Sequence, residues 1–436
     1  MTQNKRLRLF FSDHLGLPRG KYTPLKPNVA GGTSRFCLGI YVLTYSRTLT
    51  DAPGGGLTIG LPDMEARYSS ADIRTGWEED TDVVICDQFD AYGQPLALCG
   101  RGALKRAVAE WQKLGLNPKL GIELEAYIFE RNSQTGAYQP AAMGAPFVYS
   151  TGPINDPNGF MDELWHRATE AGFKIESFQT EFDPGQVEFA LVFDDAVKAV
   201  DEIFLFKIMA REVAHQCGLV LSFMPKPILS LGGSGVHYNI SLADQEGKNA
   251  LGDAHRDDLA GAKMSKIMRG ATAGMVRHHR ALAGILAPTM NSYQRLQPAS
   301  LSGYWQNWGY DHRGVTVRLS AEAGAKSRIE HRMADAGCNL YTAAAALLQA
   351  ARLGFIHDYE LPLAETGDCI NSQDSRDSVA GSLLEALNDL AADTALCEAL
   401  GPELVTNHIA IKKFEAAEVT ALADETAKRD YYLPFV

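Results

Sequence analysis

Glu123, Glu125, Glu181, Glu188, Glu330 and His237 are the residues of this chain whose types and spacing could do chemistry. The segment GIELEAYIFE (121–130) alternates polar and apolar residues, and a period of two sends Glu123 and Glu125 to the same face of a strand. Two carboxylates side by side resist ionisation once shielded from water, so the pattern requires either protons or a cation. A pair of glutamates on one strand face is by itself commonest on a solvated edge. Here further carboxylates occur in TEFDPGQVEF (180–189) and SRIEH (327–331), and an imidazole occurs in GGSGVH (232–237). An oxygen-rich set with one imidazole suits Mg²⁺ or Mn²⁺, whereas a structural Zn²⁺ prefers Cys and His in a closed tetrahedron. Glu181 and Glu188 are seven apart, a count that alone sends them to opposite faces. The Asp-Pro-Gly between them supplies a turn through which both can return to one site.

The elements that must position these residues are legible as a β-rich start and a mixed remainder. The runs RFCLGIYVL (35–43), TDVVICDQF (81–89) and PLALCG (95–100) read as short strands punctuated by Gly, Pro and Asp, with APGGG (52–56) as a loop. GALKRAVAEWQKLGL (102–116) then has helical periodicity and leads into the GIELEAYIF strand. The boundary is placed near residue 100, giving a small sheet-rich domain over 1–100 and a large α/β domain over 101–436, an α+β chain. Helices are expected over 159–172, 195–217, 255–286, 340–355 and 377–399, with strands between them carrying Glu181, Glu188, His237, Arg318 and Glu330. The tail 400–436 reads as helix and ends in YYLPFV, an apolar segment expected to pack on the body or on a neighbouring subunit.

Composition narrows the function classes. No run of about 18 apolar residues occurs, and the basic N-terminus lacks a long apolar stretch, so the chain reads as cytoplasmic. A formal charge of −12 opposes nonspecific binding to nucleic acid or anionic membrane, since either polyanion would be repelled. Seven cysteines without a CxxC pair read as reduced core thiols. Against the acidic background, Arg295, Arg313, Arg318, Arg328 and Arg332 gather in one stretch, a local excess suited to phosphate or carboxylate.

Taken together, GIELEAYIFE, TEFDPGQVEF, FMPKPILSLGGSGVHYNISL (223–242), NSYQRL (291–296), WGYDHRGVTVRL (308–319) and SRIEHRMADAGCNLY (327–341) resemble, in order, the glutamine synthetase superfamily, in particular its γ-glutamyl-amine ligase branches. The resemblance covers nearly the whole chain after residue 98. It implies a small β-grasp-like N-terminal domain, a large catalytic domain, and a ring of subunits, hexameric or dodecameric, with shared active sites. It further implies ATP and two or more Mg²⁺ or Mn²⁺ ions, with Glu125, Glu181 and Glu188 on the first ion and Glu123, His237 and Glu330 on the second. By the same resemblance Glu176, Phe193, Ser241 and Arg328 match nucleotide-binding positions. Gly233, Arg295 and Arg332 match acyl-substrate positions, and Arg313 and Arg318, with Glu188, match positions that act in phosphoryl transfer. No GxxxxGK[ST] is present, and Gly232, Gly233 and Gly235 lack GxGxxG spacing, so neither a P-loop nor a dinucleotide fold is expected.

Three departures bear on the substrate. The loop QPASLSGYW (297–305) has Leu301 where ammonia-using relatives carry a glutamate, and an apolar side chain cannot bind ammonium. The family's N-terminal ammonium-binding Asp falls at Gly39 by one alignment and at Asp51 by another. The Asn that ordinarily precedes the Gly-Ser-Gly turn is Gly232, and the second His of the usual His-x-His is Asn239. With Tyr304, Trp305 and Trp308 following Leu301, the implied partners are glutamate and a small organic amine. Two alternatives stand beside this expectation: a glutamine synthetase that uses ammonia, and a catalytically silent, nucleotide-binding relative.

Overall fold

The computed structural model describes residues 5–26, 29–252, 264–322, 324–369 and 377–436. It is α+β, with a small β-rich N-terminal region followed by a large mixed part. The N-terminal region holds β1 (Arg6–Ser12), β2 (Pro18–Pro24), β3 (Gly31–Cys37), β4 (Asp63–Ser69), β5 (Arg74–Thr75), β6 (Thr81–Ile85) and β7 (Asp87–Phe89). They form a four-stranded sheet, β2-β1-β6-β5, and a three-stranded one, β3-β4-β7. The run 35–43 does not continue as a strand. After Cys37 it turns into a 3-10 helix over Leu38–Val42, where the Cys37 sulfur accepts from the Gly39 N–H and Leu38, Tyr41 and Val42 are buried. PLALCG is likewise not a strand; Cys99 instead caps α1 (Gly100–Gln112), its sulfur accepting from the Gly102 N–H.

The large part begins with β8 (Asn117–Arg131), which carries two of the candidate carboxylates. It continues through β9 (Tyr138–Pro140), α2 (Phe160–Glu170), β10 (Ile175–Thr180), β11 (Gln186–Asp195), α3 (Ala196–Gln216), β12 (Val220–Ser222) and β13 (Val236–Ala243). Then come α4 (Lys266–Arg277), α5 (His279–Leu286), α6 (Ser292–Arg295), β14 (Trp308–Tyr310), β15 (Val317–Leu319), β16 (Ile329–His331) and α7 (Leu340–Ile356). The chain closes with α8 (Leu383–Ala392), α9 (Thr394–Leu400), α10 (Pro402–Thr420) and α11 (Glu425–Tyr432). The strands join in one nine-stranded sheet whose main path is β10-β11-β8-β13-β16-β15-β14. Along β8 burial alternates: Leu120, Ile122 and Leu124 enter the core with residues of α3 and α7, while Lys119, Gly121, Glu123 and Glu125 line the other face.

Two expected helices are each divided. The stretch 266–286 breaks at His278 between α4 and α5, residues 255–263 lying outside the described residues, and 377–399 starts only at Leu383 and breaks at Asp393 between α8 and α9. The two breaks face each other, with His278 Nδ1 2.5 Å from Asp393 Oδ2, so one polar contact ties both kinks. Of the seven cysteines only Cys86, Cys99, Cys338 and Cys369 are buried; Cys217 and Cys397 are half-buried and Cys37 is exposed. The C-terminal segment packs on the body, with Tyr432, Leu433 and Val436 buried and Arg211 donating to the Pro434 and Phe435 carbonyls at 2.6 Å each.

The helix layer behind the sheet depends on a close approach of α4 and α7. A Cβ on Gly274 would collide with the Ala350 carbonyl, and one on Gly270 would lie 2.6 Å from Phe355 Cα. Alanine gains about 1 kcal/mol of helix propensity over glycine, but the obstacle here is backbone that cannot rotate aside. Gly274→Ala is therefore expected to lower stability by about 1 to 2 kcal/mol net. A urea titration checks this: an unchanged or raised midpoint contradicts the packing account.

Candidate active site

The candidate residues meet on the open face of the nine-stranded sheet because register puts them there. Glu188 on β11 pairs with Glu125 on β8, and Gln179 on β10 pairs with Glu188. Glu123 pairs with His237 on β13, Asn239 pairs with Glu330 on β16, and Glu330 pairs with Arg318 on β15. Directly opposed residues on adjacent strands share a face, so one band of polar side chains runs across six strands. Glu181 follows β10 at the start of the Asp-Pro-Gly turn, where its N–H donates to the Gln186 carbonyl at 2.9 Å. That turn brings Glu181 back beside Glu188 and Glu125, as their mutual electrostatic influence records.

Two overlapping clusters are geometrically able to hold a cation. Glu123, His237 and Glu330 form one, and Glu125, Glu188 and His237 form the other; within each, one potential ligand atom per residue lies within 4.8 Å of the rest. His237 is shared: Nδ1 lies 3.1 Å from Glu123 and 3.8 Å from Glu330, and Nε2 lies 3.7 Å from Glu125.

Their charge balance differs sharply. Burial alone would raise Glu123, yet the hydrogen bond and charge of His237, with Asn239 and Arg332, bring it down to about 2. Burial also works against Glu330, but Arg332, His237 and Arg318 hold its carboxyl below the usual range. Both of its oxygens are engaged, one by Arg332 and one by Arg318 Nη1 at 2.8 Å. At the other cluster compensation falls short: Arg332 lowers Glu188, and His237 and Arg313 lower Glu181, by less than burial and like charge raise them. Burial and the charges of Glu123, Glu125 and Glu181 push Glu188 up to about 9, and burial with Glu125 pushes Glu181 up to about 7. Protons stand in there for a positive charge, which is the fit expected of residues built around a divalent cation.

The supporting residues were not identified from sequence. Gln179 Nε2 donates to Glu188 Oε1 at 2.7 Å, Asn239 Nδ2 donates to Glu123 Oε1 at 2.9 Å, and the Gly235 N–H donates to Glu125 Oε2 at 2.7 Å. These bonds orient carboxylates that would otherwise rotate apart under repulsion. Gln179 carried no distinguishing spacing, and Asn239 was noticed only as a replacement for histidine.

The arginines divide into two kinds. Arg295 on α6 is buried and donates to the Met333 carbonyl at 2.7 Å and the Arg332 carbonyl at 3.2 Å, which fixes it beneath the glycine loop. The loop is glycine for steric reasons: a Cβ on Gly233 would lie 2.7 Å from Arg295 Cγ, and one on Gly235 would strike Arg295 Nη2. Arg332 is also buried, and among the described residues neither its Nε nor that of Arg318 has a hydrogen-bond partner. Arg313, between β14 and β15, is exposed and lowers Glu181 electrostatically.

Beyond the carboxylates the face continues to a quieter end. Gly121 leaves a gap there, a Cβ at this position falling 3.4 Å from Phe193 Cβ and 3.6 Å from Asn239 Cβ. Phe193 is 62% exposed, Arg328 Nε donates to Asn239 Oδ1 at 3.1 Å, and Ser241 pairs with Lys119 one step further on. Glu176 lies exposed at the irregularity of the outer strand β10. The structure thus groups Phe193, Asn239 and Arg328 around Gly121 and keeps Ser241 on the same face, with Glu176 at the margin. Leu301 is 43% exposed, whereas Trp308 is buried with its Nε1 donating to the Pro362 carbonyl at 2.8 Å, so Trp308 is a packing residue. Tyr304 and Trp305 pack edge to face at 4.9 Å.

Comparison with known proteins agrees with this geometry. The family described as glutamine synthetase, catalytic domain, matches residues 97–431. A glutamine synthetase of Clostridium saccharobutylicum is 30% identical over 338 residues, covering 76% of this chain and 75% of that protein. A structure described as a novel glutamine synthase homolog superposes with a TM-score of 0.84 at 24% identity, covering 99% and 98% of the two chains. One described as apo GmaS gives 0.82 at 24% identity, covering 98% and 96%. The chain belongs to the glutamine synthetase catalytic-domain family, and with it to the ATP-dependent ligases of that type.

The charge imbalance gives a pH signature. Unfolded carboxylates release their protons near about pH 4.3, but Glu181 and Glu188 keep theirs in the metal-free fold up to about 7 and about 9. The folded state then binds more protons than the unfolded one, so metal-free stability falls as pH rises from about 5 to about 9. Thermal melts over that range should show a falling Tm without metal, a flattened curve with excess Mg²⁺, and a shallower fall for Glu188→Gln. A metal-free Tm that stays level or climbs would contradict the assignment.

Proposed function

We propose that this protein joins the γ-carboxylate of glutamate to a small organic amine at the expense of ATP. The observation that carries the reading is the single sheet face that gathers under-compensated carboxylates, shared His237 and the arginine frame, with the Leu301 loop tied to Arg295 through Ser300 Oγ, which donates to the Arg295 carbonyl at 3.3 Å. Glutamate's γ-carboxylate would attack the γ-phosphorus of ATP, forming an acyl phosphate and releasing ADP. The amine nitrogen then attacks the acyl carbon, the C–O bond to phosphate breaks, and the nitrogen loses a proton.

Bound divalent ions would neutralise phosphate oxygens during transfer. Glu125, Glu181 and Glu188 would hold one ion, and Glu123, His237 and Glu330 another. Gln179, Asn239 and the Gly235 N–H keep those carboxylates aimed. Arg313 and Arg318 flank the face from one edge, where fixed positive charge stabilises a transferring phosphoryl group without reorganisation. Arg332 and the loop at Gly233, braced by Arg295, would receive the acyl substrate, and the surface around Gly121, with Phe193, Ser241, Arg328 and Glu176, would receive the nucleotide. Leu301 offers no carboxylate to bind ammonium or take its proton, which favours an amine with an apolar substituent over ammonia.

The test is ADP release with ATP, Mg²⁺ and glutamate against ammonia, methylamine, ethanolamine, isopropylamine, a polyamine and aniline, with products identified by mass. Turnover with an organic amine and at least about tenfold less kcat/KM with ammonia is expected. Preference for ammonia would instead identify a glutamine synthetase, and nucleotide binding without ADP release would identify the silent relative.

The reading also carries an assembly: a ring, single or double, in which residues 1–100 of one subunit complete the site of the next. The observation behind it is that, among the described residues, none of the N-terminal region joins the clusters described above. Sedimentation of the active species should give an oligomer, and full activity in a monomer would refute shared sites.

A further inference from the structure

The Asp-Pro-Gly turn that returns Glu181 to the site carries a second acid, Asp183, whose role the reaction above does not use. Its Oδ2 accepts from the Gly232 N–H at 2.5 Å, with the Tyr127 hydroxyl oxygen 3.5 Å away. The same loop is held from the other side, Tyr127 Oη donating to the Gly232 carbonyl at 3.0 Å and Gln186 Nε2 to the Gly233 carbonyl at 3.0 Å. Asp183 therefore occupies a fixed place against the loop whose next residues, Gly233 and Gly235, enclose Arg295. Gly232 is part of the arrangement: a Cβ there would lie 2.6 Å from Asp183 Oδ2, so the missing side chain is the space that the carboxylate fills.

Asp183 is half-buried, and among the described residues no lysine or arginine nitrogen lies within 4.0 Å of it. Lys226 is near enough to feel its charge, but its Nζ is tied to the Leu231 carbonyl. Asp183 Oδ1 has no hydrogen bond among the described residues. A held carboxylate with an open oxygen and no cation of its own is a receptor for one hydrogen-bonding cation.

An α-amino acid presents a carboxylate and an ammonium on one carbon, and the site offers guanidinium for the first. We propose that Asp183 holds the α-ammonium of the acyl substrate and so decides that an α-amino dicarboxylate is accepted over its des-amino counterpart. The inference rests on the reading that an amino acid is the acyl donor, and it places Gly232 as the residue that makes room for Asp183.

The experiment compares glutamate with glutarate as acyl donor, following ADP release with the best amine of the panel. Wild type should prefer glutamate, and Asp183→Asn should raise KM for glutamate about 10- to 100-fold while leaving KM for glutarate and kcat nearly unchanged. Gly232→Ala, which displaces the Asp183 carboxylate, should erode the same preference. Mg²⁺ and ATP binding by calorimetry establishes that each variant is folded. An Asp183→Asn enzyme that loses glutamate and glutarate equally, or that shifts the KM of the amine instead, overturns the assignment. A wild type that turns over glutarate as readily as glutamate also overturns it, while the ligase reading survives. A wild type inactive with every acyl donor rejects both.

Discussion

Everything at the candidate site depends on the repulsion among Glu123, Glu125, Glu181 and Glu188. The fold compensates it unevenly. His237, Arg318 and Arg332 supply positive charge or protons near Glu123 and Glu330, and those two carboxyls are held low. Around Glu188 the nearby His237 and the charge of Arg332 fall short of offsetting burial and three neighbouring carboxylates, and its carboxyl is driven up to about 9. A buried carboxylate cluster costs stability unless something neutralises it, so this cluster is a standing cost that a folding advantage does not explain. The economical account is a ligand that brings its own positive charge. The sheet prevents the repulsion from relaxing, because the carboxylates are anchored by cross-strand pairing and a one-residue slip would exchange Glu123 for Leu124 on the open face.

That anchoring is built from the buried side of the same strands. Leu120, Ile122 and Leu124 point into the core with residues of α3 and α7, and transferring any of them to the open face would expose a large apolar side chain. The N-terminal region joins the arrangement at the start of α7. Asn339 Nδ2 donates to the Asp13 carbonyl at 2.6 Å and to Ser12 Oγ at 3.2 Å, while its Oδ1 caps α7 by accepting from Tyr341 and Thr342. One side chain therefore links β1, the helix cap and the chain segment leaving β16. The strand that carries Glu330, with Arg332 directly after it, is thus registered from both ends of the sequence.

Legibility from sequence followed how local each constraint was. GIELEAYIFE declared its own face through period two, and the Asp-Pro-Gly turn explained how Glu181 and Glu188 could share a site despite odd spacing. The α+β class and most helices followed from periodicity in the same way. The strand order that makes β8 central was not legible, because pairing between distant segments leaves no local period. For the same reason Gln179 escaped notice: its function exists only opposite Glu188. RFCLGIYVL misled because Leu38, Tyr41 and Val42 are apolar for burial in a 3-10 turn, and a short apolar run does not distinguish that from a strand. The breaks at His278 and Asp393 were invisible singly, since each is fixed by contact with the other.

The two halves of the chemistry are encoded with different strictness, and the reason is architectural. On the proposed reading, phosphoryl transfer draws mostly on side chains locked to strand positions, where a substitution disturbs register partners. Amine selection would fall to the segment 297–305, which lies between α6 and β14 and pairs with no strand of the sheet. A loop can exchange a carboxylate for Leu301 without moving Glu125 or Glu188, so the nucleophile can change while the activation step is kept. Asp183 and Gly232 stand between these regimes, on turns held to the sheet through Tyr127 and Gln186. Acyl-group recognition is accordingly able to change only by paired substitution: a side chain added at 232 must take the space that Asp183 now fills.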